Sequence, residues 1–135
     1  MALKRDSPLR LRFPADPKSA TVLRERLAVW LDELGADDAE VFDIAVAATE
    51  AFANAVRHPY APTDDVVDVN AVNDGKMVTI VVQDYGSWAA TEDGDECGRG
   101  LPLMQKLMDS VRVDARIGGT SVTLRRRLAR PSLAC

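Results

Sequence analysis

The chain has no surplus of basic residues: 17 Lys and Arg stand against 21 Asp and Glu, for a net charge of −4. Neutralising phosphates needs cations, so non-specific nucleic-acid binding is disfavoured as its main activity, and no direct nucleic-acid partner is expected. Long apolar runs are also missing. None approaches the ~20 residues that span a bilayer, and the charged start Met1-Ala2-Leu3-Lys4-Arg5-Asp6 has no apolar stretch behind it, so neither a membrane segment nor a signal peptide is expected. The two cysteines, Cys97 and Cys135, form no disulfide framework, and a cytoplasmic location is the default. With a single histidine, His58, a His-based metal site or a Ser-His-Asp triad is a poor fit. The 135 residues, 47% hydrophobic and 28% charged, have ordinary globular composition and suit one domain, residues 1–135.

Patterning then gives an element order. Leu9 to Phe13 alternates apolar and basic residues, as a half-buried strand does. Leu23, Leu27, Trp30, Leu31 and Leu34 form one helical stripe, closed by Gly35. Asp37 and Asp38 suit the cap and first turn of a second helix, which runs to about Arg57 and is stopped by Pro59. Val66 to Val72 predicts a strand with Val67, Val69 and Ala71 on one face. Asn73-Asp74-Gly75 is a hairpin signal, and Met77 to Val82 predicts a central, covered strand broken at Asp84-Tyr85-Gly86-Ser87. Ala89 to Gly98 reads as an acidic loop, Leu101 to Met108 as a short helix, and Val111–Ile117 and Ser121–Leu128 as a closing hairpin before a loose tail. The order β-α-α-β-β-loop-α-β-β predicts an α+β two-layer sandwich, not a doubly wound fold.

Three places carry chemistry. On a wheel of about 3.6 residues per turn, Val41, Ile44, Ala45, Ala48, Phe52, Ala55 and Val56 share one side of the second helix. Asp43, Glu50, Asn54, Arg57 and His58 gather on the other, bordered by Val46, Ala47, Ala51 and Ala53. That stripe reads either as a solvated face or as a surface that something approaches closely, with Glu50 and Asn54, one turn apart, aiming oxygens at a Mg²⁺-phosphate group. Asp84-x-Gly86 follows the most apolar strand. It is either a plain turn or a carboxylate that accepts a hydrogen bond from a ligand amine. Gly98-Arg99-Gly100-Leu101 opens a helix, as a plain turn or with backbone N–H groups facing an anion; it matches neither the P-loop nor the dinucleotide fingerprint. Cys97 reads as an inert cysteine, His58 as a helix-end residue, and Arg125-Arg126-Arg127 as a solvated strand end.

Taken together, Glu50-Ala-Phe-Ala-Asn54-Ala-Val-Arg-His58, Asp84-Tyr-Gly86, Gly98-Arg-Gly100-Leu101 and Gly119-Thr120 resemble the N, G1, G2 and C-terminal motifs of the GHKL ATPases. Within that superfamily the sequence is most similar to the bacterial anti-sigma factor serine/threonine kinases, from about residue 9 to residue 128. The resemblance implies a Bergerat-type sandwich: a mixed, mostly antiparallel sheet with helices on one face. It implies ATP and Mg²⁺ as cofactors. Asn54 would bind the metal and Glu50 would be the general base. Asp84 would receive the adenine amino group, with Gly86 beside it and Thr120 beneath. Gly98 and Gly100, with Arg99 and Leu101, would hold the phosphates, and Arg24 on the first helix would contact a partner.

The function implied is control of sigma-factor availability, with phosphorylation of a Ser or Thr on an anti-sigma factor antagonist. Sigma factor and antagonist are the implied partners. A homodimer is common in that family, and the residues fix no oligomeric state. A histidine kinase is disfavoured, because there is no room for a dimerisation helix pair. The chain departs from the family pattern at Trp88, where a second glycine is usual, at Pro59, and in a short loop carrying Glu92, Asp93, Asp95 and Glu96. That loop is expected to be a lid whose acids oppose a triphosphate, leaving Arg99 as the compensating cation. The rival reading is a protein-interaction module, with or without nucleotide, that lacks kinase activity; a third is an α+β protein whose motifs are accidental.

Overall fold

Each apolar stripe needs a surface to cover it, and strand order decides which surface that is. A computed structural model describes residues 7–57, 66–85, 101–116 and 118–129. Its elements are β1 (Leu9–Pro14), α1 (Ser19–Glu33), α2 (Asp38–Arg57), β2 (Val66–Asp74), β3 (Met77–Asp84), α3 (Leu101–Leu107), β4 (Ser110–Arg116) and β5 (Gly119–Arg127). The sheet order is β1-β2-β3-β5-β4, and every neighbouring pair is antiparallel.

Period-two alternation sorts the sheet into two faces. Leu11, Phe13, Val67, Val69, Ala71, Val78, Ile80, Val82, Val122 and Leu124 are buried beneath the helices. The other face carries Arg10, Arg12, Asp68, Asn70, Thr79, Val81, Gln83, Thr123 and Arg112, none of them buried. β3 is central, as expected, but covered on one side only: Thr79, Val81 and Gln83 are half-buried on the open face.

The helix ends follow their local chemistry. Leu34 caps α1, and Gly35 adopts φ 91°. The Gly35 N–H then bonds the Asp32 carbonyl at 3.0 Å and the Ala36 N–H bonds the Leu31 carbonyl at 3.1 Å, the paired closure that glycine makes easy. At the start of α2, Asp37 Oδ1 accepts from the Glu40 N–H at 2.8 Å, and Glu40 Oε1 accepts from the Asp37 N–H at 2.9 Å, a reciprocal capping box. Glu40 uses its second oxygen too: Oε2 accepts from the Ala129 N–H at 2.6 Å, pinning the segment just after β5 to α2.

α2 is the central helix, with Phe52 fully buried and set edge-on to Phe13, ring centroids 5.8 Å apart. Its buried surface is wider than the wheel suggests. Ala47, Ala51 and Asn54 are buried as well, so Asn54 sits inside the sandwich and not on a solvated face. The hairpin between β2 and β3 also differs by one step. Asp74 pairs with Met77, leaving Gly75 (φ 66°) and Lys76 as a two-residue turn with glycine first.

Candidate functional site

The open end of the core lies between α2, α3 and the strands β3 and β5. The pocket there is lined by the apolar Ala51, Ala55, Val82, Leu101, Met104, Val113 and Val122 and by three polar residues, Asn54, Asp84 and Thr120. Those three are 6%, 3% and 2% exposed. An apolar slot with a few convergent polar groups is the usual form of a small-molecule site. Its free volume among the described residues is about 20 Å³, room for one water molecule. The pocket is open to the surface, so a larger ligand would extend beyond this free volume.

Asp84 is not a break after β3 but its last residue, paired with Val67 of β2. The alternation of β3 turns its carboxylate to the helix side, where Oδ1 accepts from the Thr120 N–H at 3.2 Å. Thr120 Oγ1 is buried with no hydrogen-bond partner among the described residues. Such a group costs free energy unless a ligand or water satisfies it, so it points to an occupant. The strands meet closely at this point. Gly119 has φ 153°, and a Cβ there would stand 2.1 Å from the Asp84 carbonyl oxygen, so only glycine lets the two strands approach.

Two supports hold the pocket. On the opposite sheet face, Arg12 grips Asp68 through Nε–Oδ1 at 2.7 Å and Nη2–Oδ2 at 2.9 Å, and the Tyr85 hydroxyl donates to the same carboxylate. The Arg12 bond holds the Asp68 carboxyl below its ordinary range, although partial burial opposes it. The same carboxylate raises the Tyr85 phenol. Tyr85 follows Asp84, so this trio fixes the strand end that presents the pocket carboxylate. Behind α3, Arg126 Nη1 donates to the Leu107 carbonyl at 2.7 Å and to Asp43 Oδ2 at 3.3 Å, tying the helix end to α2.

A family model described as the histidine kinase-like ATPase domain matches residues 13–126. The chain belongs to that family. The histidine kinase-like ATPase relatives include the anti-sigma F factor of Clostridium acetobutylicum, 26% identical over 92% of this chain and 96% of that protein. They also include the serine-protein kinase RsbW of Bacillus pumilus, 30% identical over 83% of this chain and 81% of that one. Bacillus subtilis RsbW is 29% identical with the same coverage. A solved structure of the RsbU and RsbW domains of Rv1364c from Mycobacterium tuberculosis superposes with a TM-score of 0.78 at 35% identity, over 93% of this chain and 33% of that one. This chain thus spans about a third of that longer solved chain.

Within this ATPase fold the expected site residues fall into three groups. Asn54, Asp84, Leu101 and Thr120 meet at the pocket. Glu50 is half-buried one turn before Asn54 and is not among the lining residues; Arg24 is exposed on α1, an element that contributes nothing to the lining. Gly86, Gly98, Arg99 and Gly100, with the acidic loop, Trp88 and Cys97, lie outside the described residues, as do His58 and Pro59. Sequence reasoning missed the apolar wall of Met104, Val113 and Val122 and the Arg12–Asp68–Tyr85 trio. The strand alternation that carries Asp84 inward carries Tyr85 outward, and that was the available signal. No helix among the described residues is long and apolar enough to cross a membrane.

Proposed function

We propose that this protein is an ATP-binding anti-sigma regulator that phosphorylates a serine or threonine of an anti-sigma factor antagonist. The observation that carries the reading is the Asp84–Thr120 pair: a buried carboxylate beside a buried hydroxyl with no partner among the described residues, at the end of an apolar slot. An adenine ring suits that slot. Its amino group would donate to Asp84, Thr120 Oγ1 would gain the partner it lacks, and Val82, Met104 and Val122 would cover the ring faces. Asn54, on the neighbouring turn of α2, offers one amide oxygen to Mg²⁺, whose remaining ligands would be phosphate oxygens and water. Arg24, exposed on α1, is left for a protein partner; the relatives' names, anti-sigma F factor and serine-protein kinase, point to a sigma factor and to a protein with an acceptor serine, here read as the anti-sigma factor antagonist.

ATP supplies the phosphoryl group. The protein's own part is to hold the two reactants in line and to receive a proton. Glu50, outside the slot yet one turn from Asn54, would take the proton of an acceptor hydroxyl brought by the partner. That same position favours a second reading, a nucleotide-binding interaction module without transfer, because the described residues do not bring Glu50 into the pocket. Purified protein with Mg²⁺, γ-labelled ATP and candidate antagonists from the native host decides between them. Label appearing on a serine or threonine supports the kinase. Nucleotide binding without label on any antagonist supports the module.

A further inference from the structure

The open face of the sheet has a charge opposite to that of the chain. Alternation and register place six arginines on it: Arg10 and Arg12 from β1, Arg112 and Arg116 from β4, and Arg125 and Arg127 from β5. Among the described residues three aspartates share the face, Asp68, Asp74 and Asp114. Among the described residues the face therefore carries +3, in a chain whose net charge is −4. Asp68 and Asp114 are engaged by Arg12 and Arg116, at 2.7 and 2.9 Å. Arg112 and Arg125 have no carboxylate partner among the described residues.

Those two arginines stand on a diagonal. Arg112 pairs with Thr123 and Arg125 with Ser110, so a square of two guanidinium groups and two hydroxyls covers β4 and β5. An open depression of about 400 Å³ lies over it, completed by Asp114 and Ser121. Diagonal neighbours across an antiparallel pair are roughly 7–8 Å apart. Alternate residues of an extended peptide repeat at about 6.5–7 Å, close to the same spacing.

We propose that this face docks an acidic, extended segment of a partner protein, with carboxylates at alternate positions held by Arg112 and Arg125 and by the hydroxyls of Ser110 and Thr123. Guanidinium forks grip carboxylates in paired, charge-assisted hydrogen bonds, and a positive face on a negative protein steers an acidic partner to that side. A second copy of the chain fits poorly, because self-association through this face sets arginines against arginines. A nucleic acid fits poorly because no aromatic side chain among the described residues lines the depression for a base to stack on. The surface lies on the opposite side of the sheet from the pocket and does not depend on nucleotide.

The test is fluorescence anisotropy of a labelled peptide of alternating Glu and Ser, with a Lys-for-Glu peptide and a single-stranded oligonucleotide as comparisons, on the full chain at low ionic strength. The Glu peptide binds and the Lys peptide does not. Arg112→Ser with Arg125→Ser weakens binding about ten-fold or more, whereas Lys18→Ser with Arg26→Ser, an equal charge change on the helical layer, weakens it less than about two-fold. Arg112→Lys with Arg125→Lys falls between them, which separates loss of the paired geometry from loss of charge, and thermal melts establish that each variant is folded. Failure of the parent to bind the Glu peptide overturns the proposal, as do equal losses in the two Ser variants or tighter binding of the oligonucleotide. A change of oligomeric state on sedimentation of the Arg112/Arg125 variants assigns the face to self-association and overturns it too.

Discussion

Asp84 at the end of β3 and Thr120 near the start of β5 face each other across the sheet, and the bond between them uses the threonine's backbone and leaves its side chain out. The Thr120 N–H donates to Asp84 Oδ1 at 3.2 Å, and Thr120 Oγ1 is buried without a partner among the described residues. A buried hydroxyl in that state is costly in the empty protein and useful only when something enters.

Thr120→Val therefore moves stability and binding in opposite directions. The methyl group keeps the shape and removes the unsatisfied oxygen, so the empty protein becomes as stable as the parent or more so, by up to about 1–2 kcal/mol. ATP affinity falls by roughly five- to ten-fold with the lost contact. Calorimetric titration alongside a thermal melt checks both signs. Unchanged affinity would show that the hydroxyl faces no ligand.

Gly119→Ala harms the same region from the backbone. A Cβ there meets the Asp84 carbonyl oxygen at 2.1 Å, and neither strand backbone can yield without disturbing its neighbours. The expected cost is about 1–3 kcal/mol of stability, with weaker ATP binding because the strand carrying Asp84 is displaced. Urea denaturation gives the first quantity and nucleotide titration of the folded variant the second.

Much of this site was legible only because unconnected segments resemble a known pattern. Asp84 by itself reads as a strand end, since carboxylates commonly stop strands, and only its pairing with Val67 shows that it belongs to β3. Asn54 sits in a stripe with Glu50 and Asp43 that a helical wheel turns toward solvent; the packing of α3 against α2 is what buries it. β3 hides its alternation because Thr79 and Val81 on the open face are β-branched residues like those in the core. The three consecutive arginines read as one solvated group, yet Arg126 turns inward to Asp43 and Leu107 while its neighbours turn out. The cationic face was invisible, because its arginines come from opposite ends of the chain and share a surface only through the order β1-β2-β3-β5-β4.

The Arg12–Asp68–Tyr85 trio gives a pH signature. The folded-state carboxyl of Asp68 is depressed below its ordinary 3.8, so its contribution is complete above that value and is lost as pH falls through the folded-state value. The folded-state phenol of Tyr85 is raised above its ordinary 10.0, so its contribution is complete below 10.0 and is lost as pH rises through the raised value. Asp68→Asn should lower Tm by a few degrees near neutral pH, limited by solvent at the exposed Arg12, and the deficit should shrink toward strongly acid pH. Melts across pH check it; a deficit unchanged in acid would remove the ionic explanation.

Glu40 is tested by a change of one atom. Both its oxygens accept backbone N–H groups, from Asp37 at 2.9 Å and Ala129 at 2.6 Å. Glutamine supplies one oxygen and one amide group that cannot accept, so one of the two donors loses its partner. Glu40→Gln should cost about 1–3 kcal/mol in urea denaturation. Removal of Ala129 and everything after it should erase most of the difference between the parent and the Glu40→Gln variant if the Ala129 bond is the one lost.

Binding and transfer should separate between Asp84 and Glu50. Asp84 is 3% exposed and lines the pocket, whereas Glu50 is half-buried and outside the lining. Asp84→Ala should weaken ATP binding by about ten-fold or more while the protein stays folded, because the ligand's donor loses a buried acceptor. Glu50→Gln should bind ATP almost as the parent does, since the amide keeps the size of the carboxylate and Glu50 is not among the described lining residues of the slot. Transfer to the antagonist should nevertheless fall by about 10²–10⁴-fold, the usual loss when a positioned general base is removed. Single-turnover transfer at saturating ATP, compared with binding on the same preparations, makes the distinction. Parallel losses of affinity and rate in Glu50→Gln would place Glu50 in the nucleotide site. An unchanged rate would assign the proton to another group, and with transfer set mainly by positioning and charge that group would have to come from the partner.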